Sequence, residues 1–308
     1  MENLLNKPVL SNEMISNERL ECAIYAGFII GSTLMLIHII FGKLALAQGT
    51  KENSRIHRVF IEFQRKSFHM IGGCINCSLY HWGMKKGLLY SAYMGDGAGP
   101  RPAGSLDAAA AFIAGCFAIW ALEASRLMIP YVNKWYLQSF KGLIRDKEVD
   151  KASGVAFFIP GCVAAMMAAP SNFAIMGILF LSIGDAAASI GTAWGYIPVG
   201  TSKRRVEGSI GCAICCYLIA LYLGLDSYVA LVTALVVSFG EVLAEVIGLD
   251  DNLVIPMLGV LGVRIALSSQ FGAMATFAFY TICTGVVLGV LVGATTSKNQ
   301  GSPLKKQN

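Results

Sequence analysis

Apolar residues run in long unbroken blocks separated by short polar intervals, rather than alternating at a strand period or sharing a helix with a charged face. Given roughly 20 residues per bilayer crossing, these blocks fall at 22–42, 67–84, 107–129, 154–169, 172–194, 209–224, 228–247, 253–267 and 272–294. The pattern predicts an all-α, polytopic transmembrane helix bundle of about nine spans. Blocks 154–169 and 253–267 are short, and the second carries Arg264, so tilted, re-entrant or inward-packed segments are expected there. A polar segment, 1–21, precedes the first block and a polar basic tail, 296–308, follows the last. The reading is therefore one transmembrane domain over 22–295, with no internal repeat.

Positive charge orients the bundle, because Lys and Arg are retained on the cytoplasmic side. With nine spans, one set of loops holds Lys43 to Lys66 with Arg55, Arg58 and Arg65, Lys134 to Lys151 with Arg145, the run Lys203-Arg204-Arg205, and the tail with Lys305 and Lys306. The other set holds the acidic N-terminal segment, a Gly-rich loop at 95–105 and the turns at 170–171, 225–226 and 268–270; Lys85, Lys86 and Arg101 are its exceptions. This predicts a lumenal or extracellular N-terminus and a cytosolic C-terminus. The acidic residues Glu2, Glu13 and Glu18 speak against a transit peptide.

Composition agrees with a membrane protein: 55% of the 308 residues are hydrophobic and 14% charged, against roughly a quarter charged in soluble domains. The net charge of +5 sits in loop blocks, which is topology rather than a nucleic-acid footprint, so no nucleic-acid partner is expected. Most of the nine cysteines, including Cys74, Cys77, Cys116, Cys162, Cys212, Cys215 and Cys216, lie within apolar blocks and read as small hydrophobes. Cys74 and Cys77 are spaced like a thiol–metal pair, but no second pair accompanies them. The segment Gly95 to Gly104 lacks the Lys-Ser/Thr of a phosphate loop and reads as a flexible connection.

The chemistry lies in charges at or inside the apolar blocks. Asp185 follows Gly184 inside a span, where a carboxylate costs about 2.5–3.5 kcal/mol and needs a cavity, a cation or a basic partner. The small residues around it, Gly184, Ala188, Ser189, Gly191, Thr192 and Gly195, leave room for a bulky ligand such as a nucleotide. In Thr201-Ser-Lys-Arg-Arg-Val-Glu-Gly-Ser209, Lys203 and Arg204 suit phosphate, Glu207 suits a nucleotide-borne metal, and Gly208 opens the next span. Arg65 and His69 stand one helical turn apart beside Lys66. Glu123 and Arg126, three apart, read as a structural pair, while Arg145 and Glu148 stay open. Glu241, Glu245 and the run Leu249-Asp-Asp-Asn-Leu-Val-Ile-Pro256 bring four carboxylates to one membrane surface, which suits a Mg²⁺–nucleotide site.

Taken in order from about residue 62 to 262, these segments resemble the CTP-dependent lipid-alcohol kinases: yeast-type diacylglycerol kinases, phytol kinases and dolichol kinases. Arg65-Lys66 with His69 is similar to the family's opening motif, and Glu123, Arg126 and Asn133 to its middle helix. Arg145, Glu148 and Gly154 are similar to its acidic-basic loop, and Gly184-Asp-Ala-Ala-Ala-Ser189 with Gly191 and Gly195 to its central nucleotide motif. Lys203 to Ser209 resembles the Lys-Ser/Thr-x-x-Gly-Ser/Thr stretch, and Asp250 to Pro256 the closing motif. The chain departs from the pattern at Arg204-Arg205, where a small residue is usual, and at 93–106, which looks like an insertion. The paired Asp250-Asp251 leans toward the diacylglycerol and phytol branches, Glu207 toward the dolichol branch.

The resemblance implies transfer of the γ-phosphoryl group of CTP to a lipid hydroxyl with Mg²⁺ or another divalent cation, diacylglycerol being the first acceptor and dolichol or phytol the next. It implies Asp185 and His69 as catalytic groups, and Lys203, Arg204, Gly184, Ser189, Gly191, Gly208 and Asn252 as nucleotide-binding. Asp185, Glu207 and Asp251 are the implied metal ligands, and Arg65 and Lys66 stand at headgroup entry with Arg145, Glu148, Glu241 and Glu245 as further candidates. The endoplasmic reticulum membrane, with a cytosol-facing site, is the expected location. Two alternatives are a phosphatidate cytidylyltransferase, whose terminal Gly-rich, His-containing double-Asp signature is missing here, and a transporter, against which the one-sided clustering of charge argues.

Overall fold

The computed structural model describes residues 10–42, 55–91, 93, 102–140, 143–144, 148–200 and 202–268. The order is α1 (Asn17–Ile37, continued by a π turn His38–Gly42), α2 (Arg55–Lys85), β1 (Leu89–Tyr90), β2 (Leu106–Asp107), α3 (Ala108–Met128), α4 (Pro130–Ser139) and α5 (Val155–Ala168). Then come α6 (Ser171–Leu179), a π segment (Phe180–Gly184), α7 (Asp185–Trp194), α8 (Val206–Leu223), α9 (Ser227–Ile247) and α10 (Asp251–Leu267). The protein is an all-α membrane protein apart from a two-residue parallel ladder, Leu89 with Leu106 and Tyr90 with Asp107. The first eight apolar blocks coincide with helices; the ninth, 272–294, and the tail lie outside the described residues.

Among the described residues five stretches are long and apolar enough to cross a membrane: Asn17–Phe41, Ala108–Met128, Ser171–Trp194, Val206–Leu223 and Ser227–Ile247. The block at 67–84 belongs to a helix that starts twelve residues earlier, at Arg55, because the charged turns of Arg55 to Lys66 are helical without being apolar. Residues 10–20 are also no polar appendage: Leu10, Ile15 and Leu20 are buried, and α1 begins at Asn17 under a Ser16 hydroxyl that accepts from the Arg19 N–H. Side-chain caps recur where helices start, with Asp107, Asp226 and Asp250 accepting from Ala110, Tyr228 and Asn252 N–H groups. Gly224 and Gly248, at φ 104° and 78°, close α8 and α9 in the left-handed conformation that glycine adopts without steric cost.

The rod formed by α6, the π segment and α7 is the axis of the bundle. A helix apolar all round must be enclosed, and Phe173, Ile175, Met176, Ile178, Leu179, Phe180 and Leu181 are all fully buried. α2, α5, α8 and α10 pack around it; α1 lies on α2, α3 on α5, and α9 on α8 and α10. At one end of the bundle Asn172 Nδ2 donates to Asn12 O, Ile15 O and Asn17 Oδ1, Arg19 to Tyr222 O, and Arg264 to Ala168 O. At the other end Lys203 N–H donates to Glu245, Asn252 to Gly154 O, Arg126 to Lys151 O, and the Arg55 guanidinium covers the Tyr196 ring. The chain thus alternates direction, and the charged motifs fall at this second end.

Candidate functional site

The centre of the second end is an ion pair between residues 119 apart in sequence: Lys66 Nζ of α2 donates to Asp185 Oδ2 at the start of α7. Both are buried, Lys66 at 2% exposure and Asp185 at 0%. Taking two charges out of water costs several kcal/mol each, so such a pair is a functional marker more than a stabilising device. His69, one turn below Arg65 on the same helix, lies with Nε2 3.6 Å from the same Asp185 oxygen and packs edge-on against Phe158. Lys66 occupies only Oδ2; Asp185 Oδ1 and His69 Nε2 are buried polar atoms without a hydrogen-bond partner. Arg65 pairs with Glu62 and reaches within 3.5 Å of Ser189 Oγ. The side chains of Arg65 and His69, at 18% and 16% exposure, lead from Asp185 to the surface.

A second cluster adjoins the first. The Arg204 guanidinium contacts three carboxylates, Glu241 at 2.6 Å, Glu245 at 2.8 Å and Asp251 at 2.8 Å, and so ties the 195–205 loop to the end of α9 and the start of α10. Burial alone would make its proton easier to lose, but Glu241, Asp185, Asp251 and Glu245 more than reverse that and hold Arg204 charged. Arg204 is therefore a locked cation. Lys203 beside it is exposed, with only its N–H bound to Glu245. Asn252 is held by Asp250 and Gly154, and its own Oδ1 is buried without a hydrogen-bond partner.

Of the proposed metal ligands, Glu207 is already engaged with backbone. Glu207 Oε1 accepts from the Tyr196 and Ile197 N–H groups at 2.7 and 3.3 Å, bracing the loop, and among the described residues no three His, Cys, Asp or Glu side chains are close enough to hold a metal by themselves. The room expected above the small residues is filled by protein. A Cβ on Gly184 would meet Cys216, and one on Gly191 or Gly208 would meet the backbone of the other helix, so these glycines bring α7 and α8 together.

Glu123 and Arg126 pair at 2.8 Å as the three-residue spacing predicts, and Arg126 also donates to the carbonyls of Glu148, Val149 and Lys151 while Glu123 accepts from Ser153. Glu148 enters this anchor through its carbonyl, and Arg145 lies outside the described residues. What the sequence did not disclose is the pairing of Lys66 with Asp185 and the three-carboxylate clamp; both join charges visible in sequence to partners that only the fold brings near. A cavity of about 240 Å³ at the opposite end, lined by Asn12, Asn17, His81, Lys85, Ser171 and Asn172, has no part in this cluster.

No family model and no solved structure matches the chain. Two curated proteins do. Over 157 residues, 44% of this chain, it is 32% identical to CTP-dependent diacylglycerol kinase 1 of Schizosaccharomyces pombe, 70% of whose length is covered. Over 152 residues, 48% of this chain, it is 28% identical to CTP-dependent diacylglycerol kinase 1 of Saccharomyces cerevisiae, of which it spans 46%. The identity and coverage in the fission-yeast protein, with the order of the motifs, make the chain a member of the CTP-dependent lipid kinase family.

Proposed function

We propose that this protein phosphorylates the hydroxyl of a membrane lipid alcohol with CTP as donor, and that diacylglycerol is the acceptor, giving phosphatidate and CDP. The observation that carries the reading is Asp185: a fully buried carboxylate, one oxygen held by Lys66, the other without a partner, beside an equally unpartnered His69 nitrogen. The relatives' names support CTP and diacylglycerol.

The chemistry follows from that arrangement. The lipid tail stays among apolar helices and only its hydroxyl reaches Asp185 Oδ1, which accepts the hydroxyl's hydrogen bond and then its proton. The hydroxyl oxygen bonds to the γ-phosphorus as the bridging bond to the β-phosphate breaks, and CDP leaves with that electron pair. His69, whose Nε2 lies 3.6 Å from Asp185, takes that proton on from the carboxyl, and Lys66 keeps Asp185 aimed. Arg65 and exposed Lys203 meet phosphate oxygens; Arg204 acts by holding Glu241, Glu245 and Asp251 in place rather than by gripping phosphate. A divalent cation carried on the triphosphate needs only one or two carboxylates besides phosphate oxygens, which Asp251 with the amide oxygen of Asn252 could supply; when bound it would neutralise charge on those phosphates. Positioning and charge neutralisation are most of what phosphoryl transfer requires. The single domain, an endoplasmic reticulum location and a cytosol-facing site complete the proposal.

The test is phosphoryl transfer by detergent-purified protein with γ-labelled CTP or ATP and Mg²⁺, offering diacylglycerol, dolichol and phytol in parallel. Label on diacylglycerol with CTP alone is the expected result. Label on dolichol or phytol moves the acceptor; pyrophosphate release with no labelled lipid overturns the kinase reading.

A further inference from the structure

We infer that the π segment Phe180–Gly184 is a positioning device for Asp185, set by Gly73 of α2 and Ser182, and that the reaction depends on its one extra residue. The inference rests on the reading of Asp185 as the group that meets the lipid hydroxyl.

The helix from Ser171 to Trp194 leaves α geometry only here, over the five residues before Asp185, and the Asp185 N–H itself donates to Phe180 O, five residues back. Such bulges inside α-helices are rare and gather at functional sites. Each residue of an α-helix turns the chain by about 100°, so one residue more or less decides which neighbour Asp185 faces. With the bulge it faces Lys66 and His69 of α2. Without it, the same carboxylate would be turned by about 100° away from Lys66 and His69.

The bulge is held from three sides. Ser182 Oγ donates to Ile178 O at 2.7 Å, occupying a carbonyl within the distorted turn. Gly73 lies against Ser182 so closely that a Cβ there would overlap the serine side chain, and a Cβ on Gly259 of α10 would press on the Phe180 ring. Gly184 leaves the same absence of room against Cys216 of α8. None of Gly73, Ser182 and Gly259 carries chemistry, and only the fold relates them to the site.

Two measurements test this on the full chain in detergent. In the first, Gly73→Ala pushes Ser182 and lowers kcat for CTP about a hundredfold, the scale of an ångström-level misplacement, with KM for CTP within about twofold, since the nucleotide contacts are untouched. Ser182→Gly alone, which removes the hydroxyl bonded to Ile178 O, also lowers kcat, with KM for CTP again within about twofold. The second needs no activity: the melting temperatures of Lys66→Met, Asp185→Asn and their double variant show coupling between the pair, and the same cycle in a background deleted for Ile183 shows none. Coupling that survives the deletion, or a Gly73→Ala enzyme of normal kcat, overturns the inference. A wild-type protein that shows the coupling pattern yet has no CTP-dependent turnover leaves the device standing and removes the kinase reading instead.

Discussion

At the scale of single residues the balance between burial and charge separates function from stability. Lys66 and Asp185 each lose their hydration and keep one another, and removing one partner of such a pair leaves an uncompensated buried charge that costs about 3–5 kcal/mol. Asp185→Asn is therefore expected to do two things: lower the melting temperature and reduce CTP-dependent turnover at least a hundredfold, the low end of what a proton-accepting group contributes. Adding Lys66→Met separates the two effects. The double variant regains most of the melting temperature, because no lone charge remains, while staying inactive. A double variant that recovers turnover would assign Asp185 a structural role only. The residue types at this site were legible in the sequence, since an acid within Leu179 to Ile190 and a basic pair before an apolar run stand out by hydropathy alone. Which cation meets which acid was not, because charge pattern is one-dimensional and the partner lies 119 residues away.

Between elements, the same charges and glycines act as fasteners. Arg204 joins one loop to two helices through three carboxylates, so Arg204→Ala is expected to lower stability by about 3–5 kcal/mol. Arg204→Lys keeps the charge but loses the planar fork that reaches several acids at once, and should fall between the two; thermal unfolding in detergent ranks them. A lysine variant as stable as wild type would mean that charge alone suffices. The basic run marks Arg204 as a cation suited to phosphate, but sequence does not show the three carboxylates that already hold it.

Glycines give a parallel case. Gly208→Ala drives a Cβ into the backbone of Ala188 and Thr192 and is expected to cost about 1–3 kcal/mol. Gly72→Ala meets nothing within 4 Å and should be neutral or up to about 1 kcal/mol stabilising through helix propensity. Equal melting temperatures for the two variants would show that α7 and α8 are not in this contact. Sequence marked Gly184 and Gly191 as places that leave room for something bulky to approach. That something proves to be a neighbouring helix.

For the whole molecule, the apolar blocks carried most of the architecture, since a helix in lipid must be apolar on its lipid face and long enough to cross. They could not carry the helical extension of α2 or the π segment, as neither alters hydropathy. Alternating chain direction sets Lys66, Asp185, Arg126, Arg204, Glu241 and Asp251 toward one end and the Glu21–His81–Lys85 group at the other. A nucleotide dissolved in the cytosol can serve only a site on that side of the membrane, so the orientation proposed from positive charge and the CTP proposal stand or fall together. Lys203 is exposed at the first of these ends, and the Lys85 side chain, 54% exposed, at the second. In sealed endoplasmic reticulum vesicles with a Cys22→Ser background, Lys203→Cys is expected to react with a membrane-impermeant maleimide added outside, the cytosolic face, and Lys85→Cys only after the membrane is opened. The reverse pattern would put the charged end in the lumen, away from cytosolic CTP, and the kinase proposal would then require a nucleotide supply that the fold gives no reason to expect.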